Sequence, residues 1–320
     1  MATKSPIAIQ NTSPSTRNFL QVADMNRLGL EGLLGLAESM KMKPEALVDA
    51  HRGKALACLF NKPSTRTRVS FEAAACRLGM LPIMLRPDEL QLGRGEPIAD
   101  TARVLSSYTA AIVIRTFAQA EVEEVAAAAS VPVINALTDE HHPCQALADL
   151  LTLREHFGQL EGLRIAYVGD GNNVAHSLLE AGAMTGMSVS IATPPGYRPN
   201  EEIVAEAAET ALVAGGTVLV TGDPAEAVRG ADAVYTDVWV SMGEDAEREE
   251  RLRTFAPYRV DEALMAEAGE DAVFMHCLPA HRGLEVSAAV IDGPRSVVFQ
   301  QAANRLPTEQ AVLATLIGGR

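Results

Sequence analysis

The sequence predicts an α/β fold made of two doubly wound parallel-sheet domains linked by crossing helices. Short apolar runs recur along the chain, and segments with helical spacing of apolar residues separate them. One long helical pattern lies between two series of these runs. With 320 residues, the chain also has the length of two domains rather than one.

The apolar runs are typical of buried parallel strands, which carry near-continuous hydrophobic residues. In chain order they are residues 55–60, 110–115, 131–135, 163–169, 188–193, 217–222, 232–239 and 272–278. Because helical patterns alternate with them, the sequence predicts repeated βαβ units. Ligands of such sheets bind at the carboxyl ends of the strands, so candidate site residues are sought where each run ends.

The helical patterns place apolar residues three and four positions apart, which aligns them on one face. Two examples are the sets Phe71, Ala74, Ala75, Leu78 and Leu147, Leu150, Leu151, Arg154. The segment 142–157 has no turn residue after Pro143, so we interpret it as the helix that crosses between the domains. The acid-rich stretch 243–253 predicts a solvated loop and helix.

Composition excludes several classes of protein. The chain has 41 acidic and 27 basic side chains, a formal charge of −14, which disfavours nucleic acid as a partner. No stretch approaches the roughly 18 consecutive apolar residues of a membrane span, and the first fifteen residues lack a signal-peptide pattern. The four cysteines form no CxxC pair, so we expect a reducing cytoplasm, with Cys58 and Cys76 in the core.

The first candidate site is the polar turn 62–68 (KPSTRTR), which follows the run 55–60 and precedes a helical pattern. Ser64 or Thr65 can cap the helix, and the backbone N–H groups of a helix start bind anions. Arg66 and Arg68 add planar guanidinium groups that match phosphate oxygens. An ordinary capped helix with surface arginines is the alternative, but five consecutive polar donors favour a phosphate site.

Two further segments carry histidine and cysteine. In 141–145 (HHPCQ), Pro143 suits a first helical turn, and His142 and Gln145 lie on one face of the helix. Segment 275–283 (MHCLPAHRG) ends the last apolar run and places a thiol at the edge of the sheet. A zinc site is disfavoured, because neighbouring side chains of a strand point to opposite faces and no spacing matches a zinc pair. Its ligands would be His142, Cys144, His276, Cys277 and His281.

The last two candidates lie at the ends of other runs. Segment 169–173 (GDGNN) resembles a dinucleotide fingerprint, but Val174 stands where the third glycine belongs, which disfavours a nicotinamide-dependent dehydrogenase. Asn172 and Asn173 can instead cap the following helix. In 237–243 (DVWVSMG), Asp237 suits recognition of a cationic amine, with a helix cap as the alternative.

Together these segments closely resemble the aspartate/ornithine carbamoyltransferase family over nearly the whole chain. Elements for carbamoyl phosphate are FNKPSTRTRVSFE, Arg115 and HPCQALADLLT. Elements for the second substrate are GDGNNVAHS, DVWVSMGE and HCLPAHRGLE, and the last two resemble the ornithine branch. An aspartate enzyme would show an HPLPR-like segment and no SMG loop. The tail QQAANRLPTEQAV departs from the family, which more often has an acid before the Asn-Arg pair and a histidine after the leucine.

The resemblance implies a role for each matching residue. Residues implied at the phosphate are Ser64, Thr65, Arg66 and Thr67, with Arg115 and His142 reaching both the phosphate and the carbamoyl oxygen. Residues implied at the carbamoyl amide are Gln145, Arg305, Cys277 and Leu278. Residues implied at ornithine are Asn173, Asp237, Ser241 and Met242, with Cys277 near the reacting amine. The resemblance makes Arg66, Arg115, His142 and Cys277 the catalytic set.

The resemblance also implies domain roles and an assembly. Residues 1–141 would bind carbamoyl phosphate, with a C-terminal helix 303–320 packing back on them, and residues 142–302 would bind ornithine. Gln91, in DELQLGRGEP, would reach the site of a neighbouring subunit in a homotrimer. The implied reaction transfers the carbamoyl group to the δ-amine of L-ornithine, without metal or cofactor, in arginine metabolism and most simply in biosynthesis. Alternatives are putrescine, aspartate or N-acylornithine as acceptor, and a non-catalytic regulatory homologue.

Overall fold

The chain forms two compact units in a computed structural model that describes residues 17–45, 47–86, 95–241, 243 and 245–318. Unit 1 contains the chain up to Leu147 and again from Arg305 onward. Unit 2 runs from Ala148 to Asn304. The assignment of one substrate to each of the domains 1–141 with 303–320 and 142–302 is a proposal that we take up below.

Unit 1 is built around a parallel sheet with the strand order β2-β1-β3-β4. Aliphatic side chains such as Ala57, Ile112 and Val133 fill its core. Its elements are α1 (Arg27–Met42), β1 (Ala55–Phe60), α2 (Thr65–Arg77), β2 (Leu81–Leu85), α3 (Ile98–Tyr108), β3 (Ala111–Arg115), α4 (Gln119–Ala128), β4 (Val133–Leu137) and α5 (Pro143–Phe157), which continues into unit 2.

Unit 2 is built around a second parallel sheet with the order β7-β6-β5-β8-β9. Its elements are β5 (Arg164–Val168), α6 (Asn173–Thr185), β6 (Ser188–Ala192), α7 (Glu201–Ala214), β7 (Val218–Thr221), α8 (Pro224–Val228), β8 (Ala233–Thr236), α9 (Arg248–Phe255), α10 (Glu262–Ala266), β9 (Val273–His276), α11 (Ala288–Ile291) and α12 (Val298–Gly318), which continues into unit 1.

The predicted fold class is confirmed, because both sheets are parallel and helices connect their strands. Each of the eight predicted runs contains a strand or overlaps one, and the helical patterns in α2 and α5 are real. The strand β2 was not predicted. This strand lies at the edge of its sheet and alternates between exposed and partly buried residues, so it has no continuous apolar run. Among the described residues, no helix has both the length and the hydropathy that crossing a membrane requires.

One local expectation needs correction, and a second is confirmed with one exception. Cys58 is buried as predicted, but Cys76 is exposed, because it lies on α2 outside the apolar stripe of Phe71, Ala74 and Ala75. The acid-rich stretch does form a short 3-10 segment and α9, and most of its side chains with a described burial are exposed. Arg251 is the exception. It is buried and forms an ion pair with Asp170 (2.7 Å).

Candidate active site

The polar turn 62–68 of unit 1 follows β1 and runs into the first turn of α2, as predicted. Ser64 is the N-cap of α2, and its Oγ accepts a hydrogen bond from the backbone N–H of Thr67 (3.2 Å). Thr65 and Arg66 occupy the first turn and are exposed, whereas Thr67 is buried. The first turn of α2 contains no acidic residue, so the positive end of the helix dipole is not offset there. This helix start can bind an anion.

His142 occupies an electropositive position in the same unit. It directly precedes α5 and is buried, while Arg115 ends β3 and Arg305 lies on α12. Burial and the positive charges of Arg305, Arg115 and Arg66 hold the pKa of His142 well below its ordinary value of 6.5. The imidazole is therefore neutral at pH 7, and it can donate one N–H to a substrate oxygen without carrying a charge.

Arg305 connects three side chains of unit 1. Its Nη1 donates to Gln145 Oε1 (3.0 Å), and its Nη2 donates to Thr67 Oγ1 (3.2 Å). Its Nε and Nη2 both donate to Glu309 Oε1, at 3.0 and 2.7 Å. Burial raises the pKa of Glu309 from 4.5 to about 7, and the neighbouring Arg305 opposes this shift. Sequence reasoning selected Arg305, Gln145 and Thr67 but not Glu309.

Other basic residues of the turn have acidic partners. Lys62 is buried, forms an ion pair with Asp139 and lies over the ring of Phe117, 4.3 Å from its centroid. Arg68 pairs with Glu72 one helical turn later (3.1 Å). The local acid-free sequence thus overstates the positive charge available to a ligand, because both acids lie outside the turn itself.

In unit 2, Asp237 follows β8 at the carboxyl edge of the sheet and is buried. Its Oδ1 accepts from the backbone N–H of Val238 (2.8 Å), and its Oδ2 accepts from Asn172 Nδ2 (3.1 Å). Asn172 is also the N-cap of α6, since its Oδ1 accepts from the N–H of Val174 (3.0 Å). Asn172 therefore orients the Asp237 carboxylate, whereas the sequence indicated only a cap.

Cys277 directly follows β9 and is partly exposed. Its thiol donates a hydrogen bond to Asp237 Oδ1 (2.9 Å). The turn is held by the backbone N–H of Leu278, which donates to His276 Nδ1 (2.8 Å). Leu278 itself has a φ of 59°, in the left-handed region that a branched side chain rarely adopts. The turn thus places a thiol and a carboxylate side by side.

Among the described residues, one cluster of side chains that could bind a metal consists of Asp237, His276 and Cys277. Their donor atoms lie within 4.8 Å of one another. Strand alternation does not separate His276 from Cys277 as we expected, because β9 ends at His276. The group does not fit a metal well. His276 Nδ1 already accepts a backbone N–H, and the Cys277 thiol donates to Asp237. Three of the residues considered for zinc, His142, Cys144 and His281, are not part of this group.

The glycines of the GDGNN segment have a structural cause. A Cβ atom on Gly171 would lie 2.2 Å from the backbone nitrogen of Pro199, closer than any real contact. The segment 197–199 can therefore pack against this turn only if residue 171 is glycine. The glycine needs no dinucleotide phosphate to explain it, in agreement with the incomplete fingerprint.

The structure brings the predicted residues together in two groups, one in each unit. Members of the unit 1 group are Ser64, Thr65, Arg66, Thr67, Arg115, His142, Gln145 and Arg305. In unit 2, Asp237 and Cys277 are in direct contact, Leu278 follows Cys277, and Asn173 is the first residue of α6. Ser241 lies in the loop that follows β8 and is half-buried. Gln91 and Met242 lie outside the described residues.

Comparison with known proteins agrees with this division. The carbamoyl-P binding domain of the aspartate/ornithine carbamoyltransferases matches residues 17–155, and their Asp/Orn binding domain matches residues 161–316. The ornithine carbamoyltransferase of Parafrankia sp. (strain EAN1pec) is 55% identical over 306 residues, covering 95% of this chain and 96% of that protein. The one from Bacillus subtilis (strain 168) is 52% identical over 310 residues, covering 97% of this chain and 96% of that protein.

A solved structure gives the same result at the level of the fold. The ornithine carbamoyltransferase from Pyrococcus furiosus has a TM-score of 0.92 and 49% sequence identity, covering 96% of this chain and 99% of that one. Two matching domain models, full-length relatives and a full-length structural match lead to one conclusion. The chain belongs to the aspartate/ornithine carbamoyltransferase family.

Proposed function

We propose that the chain transfers the carbamoyl group of carbamoyl phosphate to the δ-amine of L-ornithine, giving L-citrulline and phosphate. The observation that carries this proposal is the buried, neutral His142 among Arg305, Arg115 and Arg66, beside the capped start of α2. Such a position suits an anion that also has a carbonyl oxygen to be polarised. The names of the full-length relatives support ornithine as the acceptor.

The donor half of the reaction uses unit 1. We assign the phosphate to Ser64, Thr65, Arg66 and Thr67, and the carbamoyl oxygen to Arg115, His142 and Thr67. As the amine attacks, negative charge develops on that oxygen, and each positioned donor contributes about 3 to 4 kcal/mol of transition-state stabilisation. The phosphate leaves as an anion already held by arginine, so the step needs no strong general acid.

The acceptor half uses unit 2. The attacking amine must be neutral, whereas a carboxylate stabilises a charged amine. The buried Asp237 therefore suits the α-ammonium, the amine that does not attack. The adjacent Cys277 thiol, 2.9 Å from Asp237, then orients the δ-amine and does not become carbamoylated. Asn173, Ser241 and Met242 complete the ornithine contacts in this proposal.

Other residues are assigned to the carbamoyl amide, namely Gln145, Arg305, Cys277 and Leu278. The proposal thus gives carbamoyl phosphate to the domain 1–141 with 303–320, and ornithine to the domain 142–302. Nucleophile, electrophile and leaving group all come from the two substrates, so the reaction as written needs no cofactor. We place the enzyme in arginine biosynthesis, because transfer from a reactive mixed anhydride to an amine favours citrulline. Restored growth of an arginine-requiring host would test this direction.

The decisive experiment is a product assay with carbamoyl phosphate and four acceptors in parallel: ornithine, putrescine, aspartate and N-acetylornithine. We expect citrulline from ornithine and little product from the others. A higher kcat/KM with another acceptor would reassign the substrate. No product from any acceptor, with carbamoyl phosphate bound, would support a regulatory homologue instead.

We also propose a homotrimer in the cytoplasm. Exposed apolar residues on and beside the edge strand β2, namely Val69, Leu81 and Ile83, support an interface there. The chain leads from β2 towards Gln91, which we propose acts in a neighbouring subunit's phosphate site. A trimer would have a mass of about 102 kDa, three times 34.0 kDa, in light scattering. The four free cysteines suit a reducing compartment.

Mixing two inactive variants tests the role of Gln91. Arg66→Gly removes a phosphate contact within a subunit, and Gln91→Ala removes the residue proposed to act in trans. When the two proteins are dissociated together and reassembled, a Gln91→Ala subunit next to an Arg66→Gly subunit regains one complete site. Recovered activity supports action in trans, whereas a mixture as inactive as its parents shows that Gln91 acts in its own subunit.

A further inference from the structure

We propose that Glu309 is a positioning residue for carbamoyl transfer, because it fixes the Arg305 guanidinium against Gln145 and Thr67. This inference rests on the proposed function, which assigns those three residues to carbamoyl phosphate. Glu309 lies in the tail that departs from the family pattern, and the sequence analysis gave it no role. It is 0% exposed, so it acts through Arg305 rather than on the substrate.

The contact is specific in its geometry. Glu309 lies four residues after Arg305 on α12, so both side chains project from one face of the helix. A single oxygen, Oε1, accepts from Arg305 Nε at 3.0 Å and from Nη2 at 2.7 Å. A guanidinium is planar, so fixing two of its nitrogens fixes the plane and the direction of the third. Glu309 thereby determines where Nη1 points.

The orientation of Arg305 in turn determines how the proposed binding residues Gln145 and Thr67 are oriented. Arg305 Nη1 donates to Gln145 Oε1 (3.0 Å), so the amide nitrogen of Gln145 faces the other way. Arg305 Nη2 also donates to Thr67 Oγ1 (3.2 Å), which directs the hydroxyl hydrogen of Thr67 away from Arg305. Both donors are then aimed by Arg305, and all four side chains are buried.

The surrounding groups explain why an oxygen acceptor is needed at this position. Arg305, Arg115 and Arg66 all act on His142, so three guanidinium groups, each of them a donor only, influence the same site. The other titratable groups that interact with Glu309 are the thiols of Cys58 on β1 and Cys144 on α5. Burial raises the pKa of both thiols, so they remain protonated and offer a guanidinium only a weak acceptor.

Among the described residues, the hydrogen bonds of Glu309 with defined geometry are those from Arg305. Its second oxygen, Oε2, is buried and accepts no hydrogen bond from the described part of the chain. The carboxyl is thus held mainly through Oε1 and Arg305, and the Ser70 hydroxyl is a second group that acts on it. A group that served only to fill the core would be apolar, because a buried oxygen without a partner is unfavourable.

Three variants separate positioning from packing. Glu309→Gln keeps an oxygen acceptor of the same reach, Glu309→Leu removes the acceptor at similar volume, and Glu309→Asp keeps the charge but withdraws the oxygen by one methylene. Gln310→Leu is the matched control, since Gln310 is the next residue, equally buried, and neither of its amide atoms has a hydrogen-bond partner in the described ranges. Measurements at pH 8 are kcat, both KM values, and the Kd of inorganic phosphate by calorimetry.

We expect Glu309→Leu and Glu309→Asp to lower kcat by roughly 10- to 100-fold, the effect of misplacing reacting groups by about 1 Å. Phosphate affinity should change less than about threefold, because only Thr67 of the four residues assigned to the phosphate has a described hydrogen bond with Arg305. Glu309→Gln should stay within about threefold of the wild type in kcat, and Gln310→Leu should be unchanged. If Glu309→Leu does not fold, Glu309→Asp carries the same prediction.

Two results would overturn the proposal. One is a kcat within twofold of the wild type in folded Glu309→Asp or Glu309→Leu. The other is loss of phosphate affinity in parallel with kcat, which would mean that Glu309 supports the pocket as a whole. The two hypotheses fail in different ways. If the wild type forms no citrulline, the proposed function is wrong. If the wild type and the Glu309 variants are equally active, only the role of Glu309 is wrong.

Discussion

Replacing Asp237 with asparagine tests the acceptor site most directly. The carboxylate accepts three hydrogen bonds, from Val238, Asn172 and Cys277, at 2.8, 3.1 and 2.9 Å. In Asp237→Asn one oxygen becomes an NH2 group. Whichever way the amide is oriented, this NH2 then faces at least one donor, so at least one of the three bonds is lost.

The expected loss of affinity for ornithine follows from the loss of the negative charge on residue 237. A hydrogen bond to a charged group contributes about 1.5 to 3 kcal/mol, and the variant replaces the carboxylate–ammonium contact with a neutral amide. Since 1.4 kcal/mol corresponds to a tenfold change in affinity, the KM for ornithine should rise roughly 10- to 150-fold. The KM for carbamoyl phosphate should change much less, since its proposed contacts with charged residues lie in unit 1 and only Cys277 among its proposed contacts has a described hydrogen bond to Asp237. The free energy of unfolding should fall by about 1 to 3 kcal/mol for the unsatisfied donor.

The assay is steady-state citrulline formation with each substrate varied in turn, combined with urea unfolding. Asp232→Asn is the matched control, because Asp232 lies at the opposite end of β8 and its Oδ2 accepts one hydrogen bond, from the backbone N–H of Arg164 (2.7 Å). We expect it to leave both KM values unchanged. A folded Asp237→Asn enzyme whose KM for ornithine stays within threefold of the wild type would refute the assignment.

The remaining predictions concern pH and the phosphate site. From pH 7 to 9, kcat/KM for ornithine should rise by at most about tenfold per unit, because the neutral fraction of an amine with a pKa near 10.4 does so while the α-ammonium begins to lose its proton. The depressed pKa of His142 keeps that residue from titrating in this range, and a flat profile would exclude neutral amine attack as the limiting feature. Arg66→Gly should lower kcat by about 100-fold or more while circular dichroism stays unchanged, and near wild-type turnover would contradict the phosphate assignment. Burial raises the pKa of Glu309 from 4.5 to about 7, so its contribution to stability is complete below pH 4.5 and is lost as the pH rises through 7. Between pH 4.5 and 8 the wild type should therefore lose about 3 kcal/mol more in free energy of unfolding than Glu309→Gln, and parallel urea curves would contradict this.

The predictable part of the fold is the part that local sequence encodes. Buried parallel strands are continuous apolar runs, so β1 and β5 are evident in the sequence. The edge strand β2 is recognised only through its pairing with β1, which is a long-range contact. Cys76 was misplaced for a related reason. The exposed face of α2 depends on its angular position relative to Phe71, and a small apolar residue gives little sign of that position.

In the site, motifs at the ends of strands were predictable, but the residues that orient them were not. Ser64, His142 and Asp237 lie beside turns or helix starts where backbone geometry limits the choices. Asn172 was predicted only as a helix cap. Its second hydrogen bond, to Asp237, joins residues 65 positions apart in the sequence. Glu309 gave only the i, i+4 spacing to Arg305, which on most helices marks a weak surface pair. Its importance follows from burial, which no local pattern reveals.

The discontinuity of unit 1 has a consequence for biosynthesis of the chain. The turn at Ser64, where we propose that phosphate binds, is made early, but Arg305 and Glu309 follow the whole of unit 2, residues 148–304. At about 5–20 residues per second, a ribosome needs on the order of 10–30 s to translate that insert. During this time the nascent phosphate site has its cap and its first arginines but not the guanidinium that aims Gln145. The unit that is translated first therefore completes its site last, so a chain released before Arg305 would retain a phosphate turn without a competent carbamoyl site.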